Sequence, residues 1–108
     1  MTEHNDLTRP LIDALNQTGG YALLMNSGTI RMKGRTIMLH EKGTADILFF
    51  PRCDDGYLGL AEQPVWIETK VGKYGQTAEQ GAFRLKVEAL GHRYILARTK
   101  DEGLEALR

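Results

Sequence analysis

An uninterrupted apolar run, Ile47 to Phe50, constrains the fold of this chain more than any other feature, and Pro51 follows it directly. A strand with one face in water alternates apolar and polar residues, whereas a strand covered on both faces is apolar throughout. Proline has no amide to donate to a ladder, so Pro51 marks the end of the strand. We therefore expect residues 45–50 to form a central strand with other structure packed on both sides.

A helix is predicted before this strand, over residues 8–18. Its leucines recur at helical spacing, and Gly19 follows as a stop signal. Proline is tolerated only in the first turn of a helix, so Pro10 predicts that the regular helix begins near Thr8. The Thr8 hydroxyl would then serve as the N-cap.

The remaining segments predict an α/β fold in which helices flank a mixed central sheet. Further extended segments are expected at 21–25, 35–40, 58–60, 65–71 and 94–97, with helices from Thr77 to Gly91 and from 101 to 107. Because a helix precedes 94–97, that strand is expected to join the sheet after a helical crossover. A length of 108 residues suits a single domain over 1–108.

The composition indicates the cellular compartment of the protein more clearly than its function. No stretch reaches the roughly 20 apolar residues of a membrane span, and the polar, acidic N-terminus lacks a secretory signal, so a cytoplasmic protein is expected. Cys53 is the only cysteine, which excludes an intrachain disulfide and a thiolate-rich zinc site. The 14 basic and 14 acidic side chains balance, so net charge gives no argument for nucleic-acid binding.

The distribution of charge is more informative, because the middle of the chain is locally basic. Arg31, Lys33, Arg35 and Lys42 stand there against a single acid, Glu41. Such a cluster is typical of phosphate contacts, but it equally describes a solvated hairpin or loop.

A carboxylate and an ammonium share one face of the predicted strand at 65–71. Glu68 and Lys70 are two residues apart, so both project to the same side. Alone, this pattern usually means an exposed ion pair. Asp46, however, stands at the start of the central strand beside apolar sequence, where a charge needs a partner or a metal ion. Two neighbouring strands would bring Asp46 and Glu68 together.

These residues belong to a longer pattern that resembles the virus-type replication-repair nuclease (VRR-NUC) domain of the PD-(D/E)xK nuclease superfamily. The pattern covers most of the chain and consists of Gly43-Thr44-Ala45-Asp46-Ile47, Ile67-Glu68-Thr69-Lys70, and Gln80 on the next helix. The resemblance implies a PD-(D/E)xK nuclease-like fold, and Asp46 and Glu68 as ligands of Mg²⁺ or Mn²⁺. We expect the Thr69 backbone carbonyl to join them. Lys70 and Gln80 would complete the catalytic set.

Gln80 and the predicted acid of the first helix each have an alternative interpretation. Thr77 and Gln80 have the spacing of a helix capping box, in which the glutamine bonds back to the Thr77 amide. The family often carries an acid on its first helix, for which Asp6 is the nearest counterpart and Glu3 and Asp13 are rivals. If the helix begins near Thr8, Asp6 precedes it and simply favours the positive helix terminus.

The function implied by the resemblance is a metal-dependent DNA endonuclease that hydrolyses phosphodiester bonds in branched or structured DNA. A Holliday-junction-resolving homodimer, acting in phage-like replication or repair in a bacterial or phage-infected cell, fits this description. Lys73 and Tyr74 beside Lys70, together with the basic residues of 31–42, would contact DNA. The alternatives are a noncatalytic nucleic-acid-binding module and a nuclease for flaps or single strands.

Overall fold

The chain folds as a mixed α/β protein, seen in a computed structural model that describes residues 3–25, 29–38, 41–52, 63–72 and 75–107. A four-stranded sheet has the strand order β1-β4-β5-β6. In chain order the elements are α1 (Glu3–Gln17), β1 (Tyr21–Leu24), β2 (Thr29–Met32), β3 (Arg35–Met38), β4 (Ile47–Phe50), β5 (Val65–Thr69), α2 (Ala78–Ala89), β6 (Arg93–Ala97) and α3 (Lys100–Glu105).

The apolar strand is central, as its sequence predicts. β4 lies between β1 and β5 and runs antiparallel to both. β5 and β6 are parallel, and α2 supplies the crossover that parallel neighbours require. Coverage of β4 is uneven, however: Ile47 and Phe49 are buried, whereas Phe50 remains 40% exposed on the opposite face.

Helices lie on both faces of this sheet. α1 and α3 pack against one face, where Leu11, Leu15, Val65 and Ile67 form the centre of the hydrophobic core. On the other face, α2 is anchored by aromatic contact, with the Trp66 and Phe83 rings edge to face at 5.0 Å.

The broad apolar face expected of α2 is only partly used. None of its residues is fully buried, and Leu85 is 71% exposed. Phe83 attaches this helix to the sheet through its contacts with Trp66 and Tyr94.

The predicted start of the first helix is wrong. α1 begins at Glu3, so Pro10 lies inside the helix and Thr8 is not its N-cap. Proline lacks the amide that would bond to the Asp6 carbonyl. Burial compensates for that loss, because Leu7, Leu11 and Leu15 all pack into the protein on the same side of α1. Asp6 consequently lies within the helix rather than before it.

The basic middle of the chain forms a hairpin apart from the central sheet. The strand expected at 35–40 is present as β3, but it pairs with β2, which the sequence analysis did not predict. The turn between them has positive φ at both Lys33 (49°) and Gly34 (78°), as a type I′ hairpin requires. The strand predicted at 58–60 lies outside the described residues.

None of the described helices is long and apolar enough to cross a membrane.

Candidate metal centre

Sheet register places the two predicted carboxylates side by side. β4 and β5 are antiparallel with Ile47 opposite Ile67, so the residue before Ile47 meets the residue after Ile67. Those residues are Asp46 and Glu68. The fold thus brings together carboxylates that are separated by 22 positions in the sequence, and Gln80 of α2 contacts Glu68.

Gly43 explains how the segment before Asp46 reaches α2. Its φ of 95° favours glycine, and a Cβ at this position would collide with the backbone carbonyl of Glu79 in the first turn of α2. Thr44 stabilises the same bend by donating its hydroxyl to the Glu41 carbonyl at 2.6 Å. The loop that leads to Asp46 therefore sits directly against the helix that carries Gln80.

Glu68 is the most unusual group of the site. Its side chain is only 2% exposed. One carboxylate oxygen, Oε2, accepts a hydrogen bond from Gln80 Nε2 at 2.9 Å and lies 4.0 Å from Lys70 Nζ. The other oxygen, Oε1, is buried without a hydrogen-bond donor among the described residues.

Burial, the largest cause, and the nearby Asp46 carboxylate together raise the pKa of Glu68 from its ordinary value of 4.5 to about 8, while Lys70 opposes the change. In the metal-free protein the pair therefore retains a proton near neutral pH.

The donor set fits a hard divalent cation. Mg²⁺ and Mn²⁺ prefer carboxylate and carbonyl oxygens, and a cation would satisfy the buried Oε1 and offset the repulsion between Asp46 and Glu68. Among the described residues, no third histidine, cysteine, aspartate or glutamate joins the pair. The remaining ligands would have to be water, substrate oxygens or backbone carbonyls.

Asp46 is held by Thr69. Its Oδ2 accepts two hydrogen bonds from that residue, one from the backbone amide at 2.9 Å and one from the hydroxyl at 2.8 Å. From the sequence, only the backbone carbonyl of Thr69 is expected in the site. The structure adds the amide and hydroxyl as the groups that orient the Asp46 carboxylate.

Gln80 performs both roles that the sequence left open. Its side-chain oxygen accepts from the Thr77 amide at 2.9 Å and the Thr77 hydroxyl accepts from the Gln80 amide at 3.2 Å, which completes a capping box. Its side-chain nitrogen donates to Glu68 at the same time. The cap therefore orients the amide group that reaches the carboxylate.

Lys70 follows β5 and is fixed through its backbone. Its amide donates to the Ala97 carbonyl at 3.0 Å, and Arg98 on the same neighbouring segment donates to the Gly72 carbonyl at 2.9 Å. These bonds tie the loop after the site to the end of β6. The ammonium group is thereby held beside Glu68 without making a close ion pair.

Tyr94 is a neighbour of the site that the sequence analysis did not single out. It pairs with Trp66 across β5 and β6, and its hydroxyl accepts from Gln76 Nε2 at 2.7 Å. Burial raises its pKa, and the negative charge of Glu68 acts in the same direction. Tyr94 is therefore a neutral phenol beside the carboxylates. In the sequence, the only signal that Tyr94 lies near the carboxylates would have been its position on the same sheet face as Glu68.

The residues predicted to contact DNA lie in different parts of the chain. Lys42 is exposed next to Gly43 and so lies close to the site. Arg31, Lys33 and Arg35 lie on the hairpin of β2 and β3. Lys73 and Tyr74 lie outside the described residues.

Among the candidates for a first-helix acid, Asp13 is exposed to solvent. Glu3 and Asp6 lie in α1, where the structure describes their backbone only. The acid that the family often carries on its first helix therefore stays a prediction.

No family model matches the chain, and neither a curated protein nor a solved structure matches it. The resemblance to VRR-NUC nucleases therefore stays a prediction, carried by the motif residues.

Proposed function

We propose that this protein is a divalent-metal-dependent phosphodiesterase that cleaves DNA. The observation that carries the proposal is the buried Oε1 of Glu68, which has no donor among the described residues and lies beside a second carboxylate. Carboxylates that serve only to stabilise a fold are normally surrounded by donors. A buried carboxylate whose charge is disfavoured by burial and by a neighbouring carboxylate is better explained as a ligand for a cation.

The surrounding residues have distinct roles in this proposal. Asp46 and Glu68 would hold Mg²⁺ or Mn²⁺, with the Thr69 carbonyl as a further ligand. Thr69 and Gln80 orient the two carboxylates through the hydrogen bonds described above. When bound, the cation would lower the pKa of an attacking water and offset negative charge on the phosphate.

Lys70 supplies the positive charge that distinguishes a hydrolytic site from a plain cation site. Its Nζ is 4.0 Å from Glu68 Oε2, too far for a strong ion pair. The ammonium group thus remains available to orient the attacking water or to stabilise charge that develops on the phosphate. No protein nucleophile is needed for this reaction.

The alternative function is a noncatalytic nucleic-acid-binding module. That alternative would gain weight if Asp46 and Glu68 were too far apart to share a cation. Their neighbouring positions in the register of β4 and β5 support a shared cation and so favour the catalytic proposal instead.

The finer substrate assignment, branched or structured DNA cleaved by a homodimer, rests on the family resemblance. The leucines of α1 are buried in the chain's own core, and Leu104 and Leu107 pack against it. These leucines are therefore occupied within the chain's own core, and a homodimer would have to form through another surface.

The proposal is tested by cleavage of labelled four-way junction, flap, duplex and single-stranded DNA with Mg²⁺ or Mn²⁺. The native protein should cut at least one substrate only when the metal is present, and Asp46→Asn and Lys70→Met should each abolish cutting. Lys86→Met, at an exposed lysine of α2, serves as the matched control. Binding of DNA without cutting of any substrate would favour the noncatalytic module.

A further inference from the structure

One polar residue interrupts the buried face of α1. Thr8 is 3% exposed and lies among leucines that pack into the protein. A buried hydroxyl requires a hydrogen-bond partner, and a threonine inside a helix commonly finds one in its own helix. Thr8 instead places its Oγ1 2.8 Å from the Oγ1 of Thr69, which is 61 positions away on β5.

The direction of this hydrogen bond follows from the count of hydrogens. The Thr69 hydroxyl donates its hydrogen to Asp46 Oδ2 at 2.8 Å. A hydroxyl has one hydrogen to donate, so Thr69 can only accept from Thr8. The three groups therefore form a directed chain, in which Thr8 donates to Thr69 and Thr69 donates to Asp46.

We propose that Thr8 is a positioning residue for the cation site, acting on Asp46 through Thr69. The inference rests on the proposed metal-dependent function. Donation from Thr8 fixes the rotamer of the Thr69 hydroxyl and strengthens it as a donor. Asp46 then presents one oxygen to Thr69 and keeps the orientation of its carboxylate. Helix α1 thus contributes to the centre without providing a ligand.

A purely structural role for Thr8 makes a different prediction. If the hydroxyls of Thr8 and Thr69 only satisfy each other in the core, loss of the Thr8 hydroxyl would lower stability and leave metal affinity unchanged. If Thr8 positions Asp46, the same loss weakens metal binding even in the folded protein. Partners of metal ligands typically change metal affinity by about 10- to 100-fold when they are mutated.

The experiment compares Mn²⁺ binding by calorimetry in native protein, Thr8→Val and Thr8→Ser. Valine keeps the shape of threonine and removes the hydroxyl, whereas serine keeps the hydroxyl. We expect Thr8→Val to weaken Mn²⁺ binding about tenfold and Thr8→Ser to retain native affinity. Thr18→Val is the control, since the Thr18 hydroxyl donates to the Leu15 carbonyl near the end of α1.

A second readout needs no metal. In the apo protein, NMR should detect a slowly exchanging Thr69 hydroxyl proton whose chemical shift changes in Thr8→Val, because Thr69 then loses the donor that strengthens its bond to Asp46. Native-like Mn²⁺ affinity in a folded Thr8→Val protein would overturn the inference while leaving the proposed function intact. Absence of Mn²⁺ binding by the native protein would instead overturn the proposed function, and with it the positioning role.

Discussion

Gln80 donates its side-chain amide to Glu68 at 2.9 Å while the other end of the same amide caps helix α2. The capping box fixes which end faces the carboxylate, because only the oxygen can accept from the Thr77 amide. A local helix-start signal and a long-range site contact therefore depend on one side chain.

The two roles of Gln80 can be separated with Gln80→Glu. A carboxylate at this position still accepts from the Thr77 amide, so the cap is retained, but the donor to Glu68 is replaced by a negative charge. We expect a loss of about 2 kcal/mol in the free energy of unfolding at pH 9, and a smaller loss at pH 6, where Glu68 is protonated. Urea denaturation at both pH values measures the change.

Thr77→Ala is the complementary variant, since it removes the hydroxyl of the cap and leaves the Gln80 side chain in place. Its expected loss is about 1 kcal/mol and independent of pH between 6 and 9. Equal pH dependence in the two variants would show that Gln80 acts on the helix alone.

The raised pKa of Glu68 predicts how the stability of the metal-free protein changes with pH. The pKa of this group is about 8 in the folded state against an ordinary value of 4.5, so the folded state binds the proton more tightly. Its contribution to stability is fully present below pH 4.5 and is lost as the pH rises to about 8.

The difference in the free energy of unfolding between native protein and Glu68→Gln isolates this contribution. As the pH rises from 4.5 to about 8, the free energy of unfolding of the native protein should fall relative to that of Glu68→Gln by up to about 1.4 kcal/mol per pH unit. The exposed Glu88 provides the control, and Glu88→Gln should follow the native curve. A constant difference between native protein and Glu68→Gln would contradict the assigned pKa.

Metal binding should release the proton that the carboxylate pair retains. Because the cation requires ionised Glu68, Mn²⁺ affinity should rise by up to about tenfold per pH unit below the pKa and level off above it. Calorimetry at pH 7 in buffers with different enthalpies of ionisation counts the released protons. Identical binding enthalpies in all buffers would mean that no proton is displaced.

The close approach of Gly43 to α2 predicts a large effect of one methyl group. Gly43→Ala combines an unfavourable positive φ with a collision against the Glu79 backbone. Gly34→Ala is the matched control, since Gly34 has a φ of 78° but open space around it. The control should lose about 1 kcal/mol of stability from backbone strain, and Gly43→Ala clearly more. Equal losses would show that the contact with α2 adds nothing.

The core of the site could be predicted from the sequence because strand geometry is regular. The alternation of side chains puts Glu68 and Lys70 on one face, and the apolar strand after Asp46 predicts a central neighbour. Antiparallel pairing of Ile47 with Ile67 then suffices to join Asp46 and Glu68. The capping box at Thr77 likewise follows from spacing within one turn.

What could not be predicted depends on contacts between distant parts of the chain. Local sequence gives Thr8 as a helix cap, and only the packing of α1 on the sheet reveals its bond to Thr69. Local propensity makes Pro10 a signal for a later helix start. It carries no information about the burial that stabilises α1 from Glu3 onward. Strand β2 was missed since its hairpin is separate from the central sheet and depends on the turn at Lys33 and Gly34.

Whether Asp46 and Glu68 form a cation site can be seen in an anomalous difference map from crystals of the protein grown with Mn²⁺ at pH 8. We expect a manganese peak within bonding distance of carboxylate oxygens from both residues, and its loss in Glu68→Gln. A map that shows no manganese between the two carboxylates at saturating Mn²⁺ would contradict the proposed cation site.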